Sequence, residues 1–474
     1  MERRWKVLIV AAVAVFMGFL DVTIVNVAFA DLQRDFSDAS RADLSWVLNA
    51  YNIVFAALLV PAGRLADIVG RKRLFLIGVV VFLGASAAAA DAGSVEALVA
   101  ARVVQAAGGA ILVPTSLALV LPEFPPAQRA TAIAIWTATG ALAAALGPSL
   151  GGVLIDQGSW RWAFIVNLPI GVAALLPARR VLRESRDPDA TTLPDALGTA
   201  LLVAAVGLIA LGIVQGPEWG WDSEGVLGSL AAGILLLPLV VLRSARHPAP
   251  VIEPAMFRIR SFAVANAGTL AFSFAFYAVI LANVLFLTGV WGWSVLTAGF
   301  AITPGPLMAA LSAPIGGRLS DRYGQRLVAI PGGLLFAAGC AWFALNLDPS
   351  PDYVREFLVG TLLTGAGVGL SYAAWASAAV ARLPAQRFGT GSAVMITLRQ
   401  VGAVLGIAVM VAILDGAGVR PADPAAAFID VYTVMALAAV VAAGLGIALG
   451  RVRALSEAPA VDPAARVPEL AEAA

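Results

Sequence analysis

Two charged residues stand inside long apolar segments of the sequence and could carry proton chemistry together. Asp21 lies in FLDVTIVNVAF, residues 19–29, and Arg102 lies in ARVVQAAGGA, residues 101–110. Burial makes a carboxyl group hold its proton more tightly, whereas a nearby cation favours the ionised form. A carboxyl group whose arginine partner approaches and withdraws can therefore take up and release a proton.

Helix geometry places both residues at a similar depth in a membrane. Asp21 is 14 residues beyond Val7, which corresponds to about 21 Å along a helix. Arg102 lies about 9 Å into a helix that begins near residue 96 and runs in the opposite direction, and a bilayer core is about 30 Å thick. The two charges could serve proton coupling, form a static ion pair, or make no contact. Gln105 shares the helix face of Arg102.

The whole chain has the composition of an integral membrane protein. Its 474 residues are 60% hydrophobic and 13% charged, with a mean hydropathy of +0.89, whereas soluble proteins have about 25% charged residues. A helix satisfies its own backbone hydrogen bonds in lipid and spans the bilayer with about 20 residues. The sequence predicts fourteen such helices, at 7–29, 45–62, 74–90, 96–121, 130–155, 162–178, 196–215, 225–242, 262–287, 295–316, 327–345, 356–380, 390–414 and 430–450.

Charge and composition indicate the orientation and exclude several classes of protein. With the N-terminus in the cytoplasm, 24 of the 31 Lys and Arg residues lie on the cytoplasmic side and five on the other, so both termini are predicted to be cytoplasmic. A net charge of +1 argues against a nucleic-acid partner. The single histidine, His247, excludes a His-rich metal site, and the single cysteine, Cys340, is expected to pack as a small hydrophobe. We expect no metal and no cofactor.

An internal repeat divides the chain. GRLADIVGRKRL, residues 63–74, and GGRLSDRYGQRL, residues 316–327, share a Gly-Arg-Leu-small-Asp pattern and follow the second and tenth predicted helices. Transporters are often built from two such halves. Two six-helix halves would place the second copy after helix eight, so two extra helices lie between them. The predicted domains are 1–178, 179–261 with the extra helices, 262–450, and a disordered cytoplasmic tail at 451–474.

Five stretches carry a resemblance to a known family. They are LDVTIVNVAFADL (20–32), residues 63–73, ARVVQAAGGA (101–110), LGPSLGG (146–152) and WRWAFIVNLPIG (160–171). Together, over residues 1–450, they resemble the fourteen-helix drug:H⁺ antiporters of the major facilitator superfamily. The sequence departs from the family pattern at Ala30, Ala106 and Ile68, and Ile68 removes a charge that the loop motif usually carries.

The resemblance implies an all-α polytopic membrane protein with the major facilitator fold, fourteen transmembrane helices arranged 6+2+6, in a bacterial cytoplasmic membrane. It implies a monomer in membrane lipid that exports hydrophobic or amphipathic drugs or antibiotics in exchange for protons, by alternating access. Asp21 would take a proton from outside and release it inside. The alternative is a metabolite symporter or importer of the same fold. A membrane enzyme would need a polar active-site cluster and a sensor an extra soluble domain, and the sequence shows neither.

The repeated loop motif is expected to act as a conformational latch. Glycine allows close helix approach, and Asp67 and Arg71 are four residues apart and can pair. Such a pair could hold the two halves together in the outward-open state, although the basic residues could also serve topology alone. The candidate latch residues are Gly63, Asp67, Arg71, Gly317, Asp321 and Arg326.

The fifth helix carries Gly147, Pro148, Gly151 and Gly152. Small residues let membrane helices pack closely and proline bends a helix, so these residues could form a leak-tight hinge or simply a tight contact; the resemblance associates them with export. Arg399 could extend to the cytoplasmic face or act in transport. Candidates for a mid-membrane substrate cavity, each of which could instead pack between helices, are Asn26, Tyr51, Asn52, Gln105, Asn167, Phe276, Tyr277 and Asn283.

Overall fold

The computed structural model describes residues 2–186, 192–383, 388–416 and 425–449, and helices make up its regular structure. The helices are α1 (Arg3–Asp35), α2 (Arg41–Val69), α3 (Arg71–Ala90), α4 (Val95–Val120), α5 (Pro126–Gln157), α6 (Trp162–Ile165), α7 (Asn167–Val181), α8 (Ala196–Trp219), α9 (Glu224–Arg246), α10 (Arg260–Gly289), α11 (Val295–Ile302), α12 (Pro304–Tyr323), α13 (Arg326–Asn346), α14 (Val359–Val380), α15 (Phe388–Gly416) and α16 (Ala426–Ala448). Short 3₁₀ turns lie at Leu121–Glu123 and Pro254–Arg258, and a π-helical turn at Tyr353–Leu358 precedes α14.

The all-helical membrane architecture predicted from the sequence is confirmed. Within the described residues, thirteen segments are long and apolar enough to cross a membrane. The remaining predicted span coincides with α5, a helix of 32 residues. The pair α6 and α7 forms the sixth predicted span, and the pair α11 and α12 forms the tenth. The predicted tail from residue 451 lies outside the described residues.

Helix packing groups α1–α7 and α10–α16 into two bundles. In the first, α3 packs on α4, α5 on α1, and α2 on α4; in the second, α13 and α12 pack on α14, α15 on α10, and α13 on α16. The bundles, called here the N half and the C half, meet where α2 contacts α15, α5 contacts α11, and α1 contacts α10. Helices α8 and α9 pack on each other, and α8 contacts α2 and α15. The predicted domain boundaries remain predictions.

Local sequence signals start and stop these helices. Ser40 and Asp43 form a capping box at the start of α2, and Ser94 caps α4, which satisfies backbone N–H groups that no helical carbonyl can reach. Gly70 ends α2 with φ of 122°, a conformation that glycine adopts without steric cost. The following turn is fixed because the Glu184 carboxylate accepts hydrogen bonds from the N–H groups of Lys72 and Arg73, each at 3.0 Å.

One end of the bundle brings together basic residues of three segments. The start of α1, the α2–α3 connection and the end of α7 lie together, since Arg3 donates to the Val181 carbonyl and Lys72 donates to the Arg179 carbonyl. We call this end the basic face. The opposite face holds the ends of α1, α5, α10 and α15 and the starts of α2, α11 and α16.

Candidate functional site

Asp21 and Arg102 are in direct contact in the centre of the N half. The Arg102 Nη1 group donates to Asp21 Oδ2 at 2.6 Å, and the two side chains are 0% and 1% exposed. Asp21 comes from α1 and Arg102 from α4, and their contact agrees with the similar depth expected from the sequence. Of the three alternatives drawn from the sequence, the one without contact is wrong. Proton coupling and static pairing both remain compatible with the geometry.

Two amide side chains complete the environment of the Asp21 carboxylate. The Gln105 Nε2 group and the Asn167 Nδ2 group each donate to Asp21 Oδ1 at 2.8 Å. The Ser86 hydroxyl accepts from the same two groups, at 2.8 and 3.4 Å. Three N–H donors thus compensate the buried negative charge, which is required for a charge held away from water. The sequence analysis did not single out Ser86, although it is the one polar side chain of α3 after the three basic residues at its start.

The Arg102 guanidinium is held by groups beyond the carboxylate. Its Nε donates to the Val47 carbonyl at 3.1 Å, Nη1 donates also to Gln105 Oε1 at 2.6 Å, and the cation lies 4.0 Å from the centre of the Tyr51 ring. A cation over an aromatic face is stabilised by the ring quadrupole. Side chains from α1, α3, α4 and α7, with the Val47 carbonyl and Tyr51 from α2, therefore form one polar cluster. We call it the Asp21 cluster.

The loop motif forms its predicted local ion pair. Arg71 Nη2 lies 2.9 Å from Asp67 Oδ1. A Cβ atom added at Gly63 would lie 3.4 Å from the Pro114 side chain of α4, so Gly63 approaches a helix of its own half.

The second copy of the motif packs differently. A Cβ added at Gly317 would meet no atom within 4 Å, whereas one added at neighbouring Gly316 would lie 3.1 Å from Leu370 Cα. Arg326 begins α13, and the Asp321 side chain is outside the described part. The latch role of both copies therefore stays a prediction.

The glycine face of α5 packs on both halves. Gly147 abuts the Thr23 side chain of α1, and a Cβ at Gly151 would lie 3.3 Å from Ile24. A Cβ at Gly152 would lie 3.0 Å from Leu296 Cα and 3.1 Å from the Val295 carbonyl oxygen in α11 of the C half.

Two further contacts close the α5–α11 seam from both sides. Gly299 abuts the Pro148 carbonyl, and the Ser149 and Thr303 hydroxyls are hydrogen-bonded across the two halves. The α5 motif therefore packs tightly between the halves, and its role as a leak-tight hinge stays a prediction.

A second polar contact joins the halves through α2 and α15. The Gln400 Nε2 group donates to Asn52 Oδ1 at 3.1 Å, and the Tyr277 hydroxyl donates to Gln400 Oε1 at 3.2 Å. Thr397 Oγ1 donates to the Ala56 carbonyl at 2.8 Å. Two predicted cavity residues, Asn52 and Tyr277, thus bridge the halves in this conformation.

The remaining cavity candidates occupy varied surroundings. Tyr51, Gln105 and Asn167 belong to the Asp21 cluster. Asn26 donates to the Val22 carbonyl of its own helix at 2.7 Å, and Asn283 accepts from the Tyr432 hydroxyl at 2.8 Å within the C half. Phe276 is half-buried and packs edge-on against Tyr277 and Tyr372. Their assignment to a substrate cavity stays a prediction.

Arg399 points into the C half instead of toward the basic face. Its guanidinium carbon lies 4.3 Å from the centre of the Tyr372 ring and 5.8 Å from that of Tyr277. The suggestion that this side chain extends to the cytoplasmic face is therefore wrong. The reason lies in α15: Gly402 and Gly406, on the face of Arg399, are packed against the backbone of α10 around Leu270 and Phe274, which turns Arg399 toward the aromatic side chains of α10 and α14.

At the opposite face the two halves enclose a cavity of about 1010 Å³. It lies between the ends of α1, α5, α10 and α15 and the starts of α2, α11 and α16. An ion pair between Arg41 Nη1 and Asp415 Oδ1, at 2.8 Å, joins the halves at its rim. The α5–α11 seam borders this cavity, because Val295, which a Cβ at Gly152 would approach, also lines it.

Sequence comparison places the chain among known transporters. The sequence profile of the Major Facilitator Superfamily matches residues 11–264 and again 265–469. The multidrug resistance protein Stp of Mycobacterium tuberculosis is 35% identical over 408 residues, which cover 86% of this chain and 75% of that protein. The tetracenomycin C resistance and export protein of Streptomyces glaucescens is 33% identical with the same coverage. The methylenomycin A resistance protein of Bacillus subtilis is 32% identical over 92% of each chain.

Solved structures support the same fold. A bacterial homologue of the human lysosomal transporter Spinster, in an inward-facing and occupied conformation, matches with a TM-score of 0.66 at 20% identity, over 97% of this chain and 100% of that one. The human organic anion transporter MFSD10 matches with a TM-score of 0.60 at 16% identity, over 94% and 100%. With the helical architecture, the profile match and the drug-resistance relatives together, the chain belongs to the major facilitator superfamily and is a multi-pass transporter of a bacterial cytoplasmic membrane, not an enzyme.

Proposed function

We propose that the protein exports hydrophobic or amphipathic drug-like molecules in exchange for protons, with Asp21 as the proton-carrying residue. The observation that carries the proposal is the buried Asp21–Arg102 pair at 2.6 Å, surrounded by amide donors. Ionisable residues inside a membrane are expensive and commonly serve ion pathways. Export as the direction of transport is supported by relatives named for resistance and export.

The proposed cycle uses changes in the contacts of Asp21. In the described conformation the carboxylate holds Arg102, Gln105 and Asn167, donors from α4 and α7, while Asp21 itself belongs to α1. A rearrangement within the N half that separates α1 from α4 and α7 as the halves rock would remove these donors, and the carboxyl group would then bind a proton. Return of α1 would release the proton, so proton transfer and the movement of helices would depend on each other.

The contacts between the halves suggest on which side of the membrane the halves are joined. With the basic face in the cytoplasm, the α5–α11 seam and the Arg41–Asp415 pair close the two halves on the extracellular side. A substrate that comes from the cytoplasm or the inner leaflet would then have to enter between the halves from the basic face. Transport would require the seam to open.

The test is transport by everted membrane vesicles under an imposed proton gradient, acidic inside, with cationic, neutral and anionic fluorescent drugs. We expect the wild type to accumulate at least one of these drugs and Asp21→Asn to bind it but not accumulate it. Asp38→Asn, at an exposed position after α1, is the matched control and should transport normally. Normal transport by Asp21→Asn would make the pair static, and movement of drug and protons in the same direction would favour the symporter alternative.

A further inference from the structure

Arg399 is a half-buried cation that has no acidic partner among the residues that the structure describes. It is the twelfth residue of α15, about 17 Å along the helix axis from its start, which is near mid-membrane. Among the described residues no ion pair includes Arg399, and its buried Nε atom has no hydrogen-bond partner. Arg102, the other mid-membrane arginine, is by contrast paired with a carboxylate.

Aromatic side chains surround the Arg399 guanidinium. Tyr372 and Tyr277 present their rings to it, and Phe276 packs on both, with ring centres 5.7 and 5.2 Å away. The Tyr372 hydroxyl is hydrogen-bonded to Ser273 at 2.8 Å, which fixes its ring. Arg399, Tyr372 and Phe276 are each half-buried. These three residues and the buried Tyr277 form an aromatic surface with one cation, here called the Arg399 site.

The physical cost of this cation indicates what it binds. A charge in a medium of low dielectric constant is expensive unless it is paired. The rings of Tyr277 and Tyr372, and the hydrogen bonds that these two side chains make with Arg399, offset only part of this cost. A ligand that carries a negative charge would supply the missing partner. The donors of a guanidinium match a carboxylate in two parallel hydrogen bonds, and the single oxygen of a phenolate can accept charge-assisted hydrogen bonds from the same donors.

The same site is poorly suited to cationic molecules. Of the acidic side chains that the structure describes, Asp21 and Asp195 are buried, and each is already ion-paired, with Arg102 and Arg243. A positively charged drug would therefore meet the Arg399 cation without a free buried carboxylate to balance it.

We propose that the Arg399 site binds the anionic group, carboxylate or phenolate, of aromatic substrates, with Arg399 pairing with the charge and Phe276, Tyr277 and Tyr372 stacking on the ring. This assignment rests on the proposed export function and names its substrate class. It makes Arg399 the residue that discriminates anionic from cationic substrates of the same shape.

The test is equilibrium binding to the purified protein in lipid nanodiscs, measured by fluorescence polarisation with no proton gradient. The probes are fluorescein, an anion, and rhodamine 6G, a cation with the same xanthene ring system. The variants are Arg399→Gln, Arg399→Lys and the matched control Arg355→Gln, whose side chain is 87% exposed. Thermal unfolding and gel filtration show that each variant is folded.

We expect the wild type to bind fluorescein more tightly than rhodamine 6G. Arg399→Gln should weaken fluorescein binding at least tenfold, which corresponds to about 1.4 kcal/mol, and should leave rhodamine 6G binding unchanged or tighter. The affinity of Arg399→Lys for fluorescein should lie between those of the wild type and Arg399→Gln. Arg355→Gln should bind both dyes as the wild type does. The proposal is wrong if Arg399→Gln weakens the binding of both dyes equally, or of neither. If Arg399→Gln does not fold, the proposal is wrong when Arg399→Lys binds both dyes as the wild type does.

The binding result is separate from the outcome of the transport experiment. A wild type that binds neither dye, or prefers rhodamine 6G, overturns the anion site even if it exports other drugs. Conversely, anion binding that depends on Arg399, in a protein that shows no proton-driven export, leaves the site standing and refutes the proposed antiport.

Discussion

One methyl group added at Gly152 tests whether the α5–α11 seam is the closure between the two halves. The Cβ of Gly152→Ala would lie 3.0 Å from Leu296 Cα and 3.1 Å from the Val295 carbonyl oxygen. Both neighbours are backbone atoms and cannot rotate away, so α5 and α11 must separate. Overpacking of this kind costs about 1–3 kcal/mol, which lowers the ratio of closed to open seam about 5- to 150-fold.

The assay uses a cysteine placed inside the seam. Ser149, which is hydrogen-bonded to Thr303 of the C half, is replaced by cysteine with little change in shape. The native Cys340 is fully buried and need not be removed. Intact cells are treated with a membrane-impermeant maleimide, and the labelling rate of Ser149→Cys should rise by the same factor when Gly152→Ala is added, provided that the open seam is the minor state.

Two other glycines provide matched controls. A Cβ at Gly332 would lie 2.9 Å from the Ser371 backbone nitrogen inside the C half, whereas one at Gly84 would meet no atom within 4 Å. Gly332→Ala should lower thermal stability without raising the labelling rate. Gly84→Ala should neither lower thermal stability nor raise the labelling rate, since alanine favours a helix by about 1 kcal/mol relative to glycine. If Gly332→Ala raises labelling as much as Gly152→Ala, or if Gly152→Ala has no effect, the α5–α11 contact is not the closure.

Two ion pairs yield further predictions. Arg41→Gln removes the Arg41–Asp415 pair and should raise the Ser149→Cys labelling rate about two- to fivefold, because partly exposed pairs contribute about 0.5–1 kcal/mol. If the two residues act as a pair, adding Asp415→Asn should give no further increase, and additive effects of the two substitutions would contradict this. Asp195 caps α8, and its buried carboxylate accepts a hydrogen bond from Arg243 at 3.0 Å. Asp195→Ala should therefore lower the unfolding free energy by about 2–4 kcal/mol and with it the melting temperature, and Arg243→Gln should lower the melting temperature less. A melting temperature of Asp195→Ala equal to that of the wild type would refute this role.

Membrane depth could be predicted from the sequence because it depends on counting alone. Each helix rises by a fixed amount per residue, so the sequence alone predicts a similar depth for Asp21 and Arg102. The structure shows the two side chains in contact. The rotation of a helix about its own axis needs knowledge of which neighbours it packs on. Val47 and Ser86 therefore escaped prediction, since their contribution depends on how α2 and α3 turn toward α4.

The second copy of the loop motif shows the limit of sequence similarity. Gly63 and Gly317 hold equivalent positions in the two repeats, yet only Gly63 is packed against a neighbouring helix, and Gly316 makes the close approach in the C half. A shift of one residue on a helix turns the contact by about 100°. A shared motif thus predicts the same local turn but not the same partner.

The two candidate sites are connected through consecutive residues of α2. Tyr51 stacks on Arg102 in the Asp21 cluster, and Asn52 accepts a hydrogen bond from Gln400, which follows Arg399 in α15. A movement of α2 relative to α15 would break the Asn52 contact, and a movement of α2 relative to α4 would remove Tyr51 and the Val47 carbonyl from Arg102. Under the proposed antiport, substrate bound at Arg399 and a proton bound at Asp21 therefore act on the same helix, and neither can change its contacts without affecting the other. Substitution of Asn52 by leucine should then uncouple drug binding from proton release while both ligands still bind, and fluorescein-dependent proton release by purified protein measures this directly; unchanged release would show that the connection runs through another helix.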